Sequence, residues 1–305
     1  MQDDGINQPV FVVGSPRSGT SILTWSLGHH PNLFPVEESG WMGDFAAHVA
    51  LAHQIGSARG HLSMLSAMSI GAEEFFAAFG RSINELIAGH REDLETNRAT
   101  RGRPSKINLR WLKATSMSAG PKTRWVDGTP EYSLHICGLR KLFPQARFIH
   151  VFRDVDAVVR SMVNFHRTTG IHLVANEEEA YKYWLRTVRA CLKAEEAYGP
   201  DVVRRLRYGA LIENPELALR STLEFLGEPY SAKCVEPLSR RINSSDVPPD
   251  FTTDDPATNP ATREEARLLS AQIEKIPQRD EHSLGAAEEL EAAFEARVKY
   301  IATVR

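Results

Sequence analysis

The sequence predicts an α/β fold in three layers, a P-loop-like arrangement with a central parallel sheet between helices. Three observations predict it. A short apolar run, Pro9-Val-Phe-Val-Val13, stops at a glycine loop and passes into a helical pattern near Gly19. Further short apolar runs alternate with helical segments along the chain. Hydrophobic residues make up 42% and charged residues 25% of the 305, the balance of a globular protein and not of a disordered or fibrous one. Length allows one or two domains. With no internal repeat or low-complexity tract, the expectation is a single domain over 1–305.

Each element then follows in order. The run Val10–Val13 reads as a buried strand. Residues 40–120 read as variable helices and a loop. Within them 72–94 is predicted helical, with Phe75, Phe76, Phe79, Ile83, Leu86 and Ile87 at turn spacing and the three phenylalanines in the core. From Arg98 to Arg124 there are eight basic residues and no acid, broken by Gly102, Pro104, Gly120 and Pro121. This segment reads as a loop or lid. Trp125-Val126 marks a strand end, and 132–143 a helix stopped by Pro144. Residues 147–152 form a strand, 155–165 a helix, 177–198 a long helix before Pro200, and 203–208 a weaker strand. Asn214-Pro215 opens a helix that Gly227 closes. Residues 243–261 read as a surface loop, and 262–303 as two polar helices.

Charge and cysteine content narrow the function. The chain has 36 basic and 39 acidic side chains and a net charge of −3, so there is no global basic field for nucleic acid. Cys137, Cys191 and Cys234 have no CxxC partner and are expected as reduced, buried thiols. No His/Cys/Asp cluster has metal spacing, so no metal is expected. The start Met-Gln-Asp-Asp-Gly is acidic where a secretory leader is basic, and no run approaches the ~18 apolar residues of a membrane span. The expectation is a soluble, cytoplasmic protein. Nothing in the sequence assigns an oligomeric state.

The glycine loop carries the chemistry. Gly14-Ser15-Pro16-Arg17-Ser18-Gly19-Thr20-Ser21 has the glycine spacing of a P-loop. Glycines let the backbone wrap an anion, and the helix that begins there offers unpaired N–H groups and the positive end of its dipole. Thr20, however, stands where a P-loop has lysine, and the strand 147–152 runs into Arg153 where a nucleotide triphosphatase has a magnesium-binding Asp. The loop has its cation at Arg17. Such a site suits an anion handled without Mg²⁺.

These residues resemble a family. Val13-Gly-Ser-Pro-Arg-Ser-Gly-Thr-Ser21 is similar to the 5′-phosphosulfate loop of sulfotransferases that use 3′-phosphoadenylyl sulfate (PAPS), in the Arg-Ser-Gly-Thr form of Golgi-type, tyrosylprotein and many bacterial members. Phe152-Arg153-Asp-Val-Asp-Ala-Val-Val-Arg-Ser161 resembles the family's 3′-phosphate motif. The stretch from Arg207-Tyr208 through Pro215 to Phe225-Leu-Gly227 resembles its Tyr-Glu-Asp-Leu…Pro-Glu…Phe-Leu-Gly segment. Three islands in this order over residues 9–230 are specific together. The resemblance implies PAPS as donor, 3′,5′-bisphosphoadenosine (PAP) as product, and no metal. It places Ser15, Pro16, Arg17, Ser18, Gly19, Thr20 and Ser21 on the 5′ end of the cofactor, Arg153 and Ser161 on the 3′-phosphate, and Tyr208 nearby. Two departures are Gly209, where the family has Glu, and Gly128, where many relatives carry Lys. The family's cofactor-covering loop is expected near 240–262.

Sulfuryl transfer asks for a cation at the leaving oxygen and a base at the acceptor. Arg17 can supply the first. For the second, His29-His30-Pro31…Glu37-Glu38-Ser39 resembles the His-Pro…Gly-Glu-Glu-Thr segment of tyrosylprotein-type members, and its spacing points to Glu38 as the base. Glu37 is second, on the substrate side with Thr129. His29 and His30 are the rival bases, although they match a helix-capping stretch. The acceptor implied is a hydroxyl or amine on a small molecule, lipid or glycan. The alternatives are a nucleotide-binding interaction protein without catalysis, and a P-loop kinase, which the missing Lys and Asp oppose.

Overall fold

A computed structural model describes residues 8–100, 122–239, 247, 248 and 250–304. Most of the basic segment, and part of the stretch expected to cover the cofactor, lie outside the described residues. In chain order the elements are β1 (Val10–Gly14), α1 (Thr20–Leu27), β2 (Leu33–Pro35), α2 (Trp41–Ser57), α3 (Met64–Ala67), α4 (Ala72–Gly89), α5 (Arg91–Thr100), β3 (Arg124–Asp127), α6 (Ile136–Leu142), β4 (Arg147–Phe152), α7 (Val155–Thr169), α8 (Glu177–Tyr198), β5 (Val203–Arg207), α9 (Tyr208–Glu213), α10 (Pro215–Leu226), α11 (Pro260–Lys275) and α12 (Leu284–Thr303).

The five strands form one parallel sheet in the order β2-β3-β1-β4-β5. Strands β1, β2 and β3 are buried throughout, because side chains on both faces meet helices. Alternation along β1 divides its residues between two cores. Phe11 and Val13 face one side with residues of α2, α4, α6 and α8. Val10 and Val12 face the other with Leu23 and Leu27 of α1 and Leu219 and Leu223 of α10. The edge strand β5 reads Val-Arg-Arg-Leu-Arg and is only half-buried, which explains its weak signal.

Order also positions the site. From β1 the chain goes to β2 and β3 on one side, then crosses to β4 and β5 on the other. The crevice beyond the carboxyl end of β1 is therefore a topological switch point, where open α/β sheets bind ligands. The glycine loop leaves β1 at this point.

Several boundaries follow local chemistry. The Asn214 side chain accepts from Leu217 N, Pro215 occupies the first helical position, and Gly227 ends α10 at φ 72°. Asp154 caps α7 by accepting from Ala157 N at 3.0 Å. Other expectations need correction. The segment 72–94 breaks at His90 into α4 and α5. The segment 132–143 becomes a 3₁₀ turn over Pro130–Leu134 and then α6, because His135 at φ −126° is not helical. Of the three phenylalanines, Phe76 is core, but Phe79 is 36% exposed. The cysteines are free and buried. No helix of the described residues is long and apolar enough to cross a membrane.

One buried ion cluster ties α8 to the sheet. Glu195 accepts from Arg205 Nε of β5 at 3.0 Å, and its Oε1 lies 2.5 Å from His150 Nδ1 of β4. Burial opposes a charge on His150, but Cys191 and Glu195 outweigh it and push its pKa up to about 10. Removing one member leaves buried charge uncompensated. Glu195→Ala is expected to lower stability by ~3–5 kcal/mol, seen as a lower denaturant midpoint at unchanged slope. A loss below ~1 kcal/mol would place the cluster with solvent-exposed pairs.

Candidate active site

The loop between β1 and α1 is built by backbone conformations that few residues adopt. Gly14 sits at φ 148° and Gly19 at φ 111°. A Cβ on Gly14 would lie 2.6 Å from the Val151 carbonyl oxygen, and one on Gly19 would lie 2.5 Å from the Tyr208 ring. Both positions thus require glycine for space as well as for φ. Arg17 takes φ 70° between them, an uncommon choice for a side chain and of the sort found at functional sites. Helix α1 starts at Thr20 with no side-chain cap, so its first amides face the loop. The Ser15 and Ser18 hydroxyls are buried and lack a hydrogen-bond partner among the described residues. A cradle with unfilled donors at a helix N-terminus fits an anionic group.

Two arginines converge on this cradle. Arg17 Nε donates to Ser161 Oγ at 3.1 Å, and its guanidinium lies 4.7 Å from the centre of the Phe165 ring. Both partners belong to α7. Arg153, at the end of β4, donates from Nη1 to the Arg17 carbonyl at 3.0 Å and covers the Tyr208 ring at 4.5 Å. Burial, and then the charge of Arg153, lower the Arg17 pKa to about 10, so the group remains a cation at neutral pH. Arg17, Arg153, Ser161 and Tyr208, distant in sequence, meet at one place. Phe165 was not singled out from the sequence. Only its position one helical turn after Ser161 would have pointed to it.

A carboxylate faces the cradle from the other side. Between α1 and α2 lies the short strand β2. It pairs with β3, Phe34 beside Trp125, and returns the chain to the carboxyl edge of the sheet. Glu37 and Glu38 are therefore delivered next to the loop. Ser21 Oγ donates to Glu38 Oε1 at 2.7 Å. Glu38 as a residue is exposed, yet the neighbours crowded round its carboxyl strip water from it and raise its pKa, opposed by the Ser21 bond and the charge of Arg17 and reinforced by Glu131 and Glu37. Glu37 is exposed and paired with Arg98 at 3.0 Å.

Three β3-proximal side chains support the edges of this space. Thr129 is 3% exposed, and its hydroxyl donates to Asp127 Oδ1 at 2.6 Å while accepting from Ser39 N at 3.1 Å. Ser133 accepts from Gly14 N at 2.9 Å and so holds the start of the loop, a role with no sequence signal. Burial, more than any neighbour, pushes Asp127 up to about 7. At Gly128, where the resemblance leads one to expect lysine, a Cβ would meet Thr24 Oγ1 at 2.3 Å. A side chain there would require Thr24 of α1 to shift.

The histidines sit elsewhere. His29 Nδ1 lies 2.9 Å from the Trp25 carbonyl, and His30 Nε2 lies 2.9 Å from the Pro229 carbonyl. Both rings close the far end of α1, away from the loop. Among the described residues no group of three His, Cys, Asp or Glu is placed to hold a metal ion. Chemically, the site combines an anion cradle, two cations and a carboxylate beside a serine hydroxyl.

A family model described as "Sulfotransferase family" matches residues 9–232. The chain is 24% identical over 235 residues to protein-tyrosine sulfotransferase A of Caenorhabditis elegans, a match over 76% of this chain and 53% of that protein. It is also 24% identical over 227 residues to protein-tyrosine sulfotransferase 1 of Danio rerio, over 73% of this chain and 54% of that one. The match thus spans about half the length of these curated relatives. A solved structure, the sulfotransferase domain from the Synechococcus PCC 7002 olefin synthase, superposes with a TM-score of 0.45 at 19% identity, covering 99% of this chain and 98% of that one. The family match runs from β1 through the cradle, the Arg153–Ser161 helix and Tyr208, and on this ground the chain belongs to the sulfotransferase family.

Proposed function

We propose that the protein transfers a sulfuryl group from PAPS to a hydroxyl or amine acceptor, with Glu38 as general base. The observation that carries this reading is the bond from Arg17 Nε to Ser161 Oγ. It joins the glycine loop to the start of a second anion site, which an ordinary P-loop protein lacks.

PAPS supplies an activated sulfuryl group on a 5′-phosphate, together with a 3′-phosphate as a handle. The loop amides, that of Ser21 included, with the Ser15, Ser18 and Thr20 side chains would hold the 5′ end, and Arg153 and Ser161 the 3′-phosphate. Two separated grips fix orientation as well as affinity. Arg17 places positive charge where the leaving oxygen becomes negative. Glu38 takes the acceptor proton, and Ser21 holds its carboxylate in place from the first turn of α1. The relatives named above are protein-tyrosine sulfotransferases, so phenols are the first acceptors to test, followed by aliphatic alcohols, lipids and glycans.

The test is a calorimetric titration of PAP and of AMP, each with and without Mg²⁺. Charge-assisted hydrogen bonds contribute about 1.5–3 kcal/mol each. Two of them on the 3′-phosphate should make PAP bind at least ~10²-fold tighter than AMP. Arg153→Ala should erase most of that preference and leave AMP affinity nearly unchanged. Equal affinities, or binding seen only with Mg²⁺, would mean an ordinary nucleotide pocket.

A further inference from the structure

We propose that Asp127 and Thr129 are positioning residues for Glu38, acting through the Ser39 amide. The inference rests on the reading of Glu38 as base.

Asp127 ends β3 and is 1% exposed. Its Oδ1 accepts from Thr129 N at 2.8 Å and from Thr129 Oγ1 at 2.6 Å. The first of these bonds is an ordinary Asp turn, which needs no threonine. The second has a consequence. A hydroxyl has one proton and two lone pairs. With its proton committed to Asp127, Thr129 can face the Ser39 N–H only as an acceptor, which it does at 3.1 Å. Asp127 thereby sets the hydroxyl rotor, and the rotor fixes the peptide that joins Glu38 to Ser39.

The rest of the segment supports the same assignment. The Tyr132 hydroxyl accepts from Met42 N at 3.3 Å, and Ser133 accepts from Gly14 N at 2.9 Å. Residues 129–133 therefore connect the glycine loop to the Glu38 strand end. Glu38 is held from one side by Ser21 and from the other by Ser39. Both holds set where its carboxylate stands relative to Arg17. Asp127 Oδ2 is buried with no hydrogen-bond partner among the described residues. Leaving a buried carboxylate oxygen unpaired is costly.

The experiment compares Thr129→Val, which keeps shape and loses the hydroxyl, with Thr129→Ser, which keeps the hydroxyl. Asp127→Ala, Glu38→Gln and the double variant Glu38→Gln/Thr129→Val complete the set. Three quantities are measured: amide hydrogen exchange at Ser39, PAP affinity by calorimetry, and release of PAP from PAPS with water as acceptor. In Thr129→Val, exchange at Ser39 is expected to rise at least ~10-fold as a local event. PAP release should fall ~10–10²-fold, the scale of a misplaced catalytic group, with PAP affinity within about twofold, since Thr129 does not touch the cradle. Thr129→Ser should restore all three. The double variant should release PAP no more slowly than Glu38→Gln, because a residue acting through Glu38 has nothing left to position. Should Thr129→Val fail to fold, Asp127→Ala, which removes the oxygen that accepts from Thr129, gives the same comparison.

Unchanged Ser39 exchange in Thr129→Val would overturn the proposal. So would additive losses in the double variant, or a fall in PAP affinity parallel to the fall in turnover, which marks a general structural role. Wild-type turnover in Glu38→Gln would instead overturn the base assignment, and is read separately from the Ser39 exchange.

Discussion

Glu38→Gln is expected to slow sulfuryl transfer to a phenol by ~10²–10⁴, the range for loss of a positioned base, while PAP binds as before. The substitution keeps the shape of the side chain and an oxygen that can accept from Ser21. What it removes is basicity. The pH profile carries a second signature. A base works in its ionised form, and the loss of water round its carboxyl raises the Glu38 pKa above the ordinary carboxylate value of 4.5. The sign is then fixed: activity is lost as pH falls through the raised pKa. The acid limb should lie above 4.5 and vanish in Glu38→Gln. Glu37→Gln is the control, because that carboxylate is tied to Arg98 and not to Ser21. An active Glu38→Gln beside a dead Glu37→Gln or histidine variant would move the base to another residue.

Arg17→Ala is expected to reduce turnover by ~10²–10³, the magnitude for loss of one preorganised donor at a developing charge. The expectation is strengthened by Gly128. The lysine that the family resemblance would put there is absent, and Arg17 is a cation whose charge reaches Glu38. PAP affinity should fall less than turnover, since Arg153 and the loop amides remain. Arg17→Lys separates charge from geometry. A lysine keeps the positive charge but lacks the planar fork that donates to Ser161, so it should recover only part of the loss. A variant of Arg17→Ala with wild-type turnover would remove Arg17 from the reaction.

The sequence by itself determined the order of layers and the anion cradle. Strands β1 and β4 were legible because residues buried on both faces read as continuous apolar runs. Helix α10 was legible because Asn214, Pro215 and Gly227 act locally, within a turn of their own positions. The glycine loop was legible because its requirement for Gly14 and Gly19 is one of backbone conformation. The grouping of Arg153 with Ser161, and the place of Tyr208 near them, followed from family resemblance and not from spacing.

Tertiary structure decided the rest. Strand β2 has three residues and ends in Pro35, too little to read from pattern. It exists because it lies at the sheet edge, where a residue without an N–H is tolerated and where β3 supplies the hydrogen bonds. That one strand decides that Glu38 reaches the cradle. The same holds for Thr129, whose partners Asp127 and Ser39 define its hydroxyl as an acceptor, and for Gly128, packed against Thr24 of another element. Each of these depends on atoms brought together from distant parts of the chain, and long-range contact leaves no periodicity, cap or turn signal in the residues that make it.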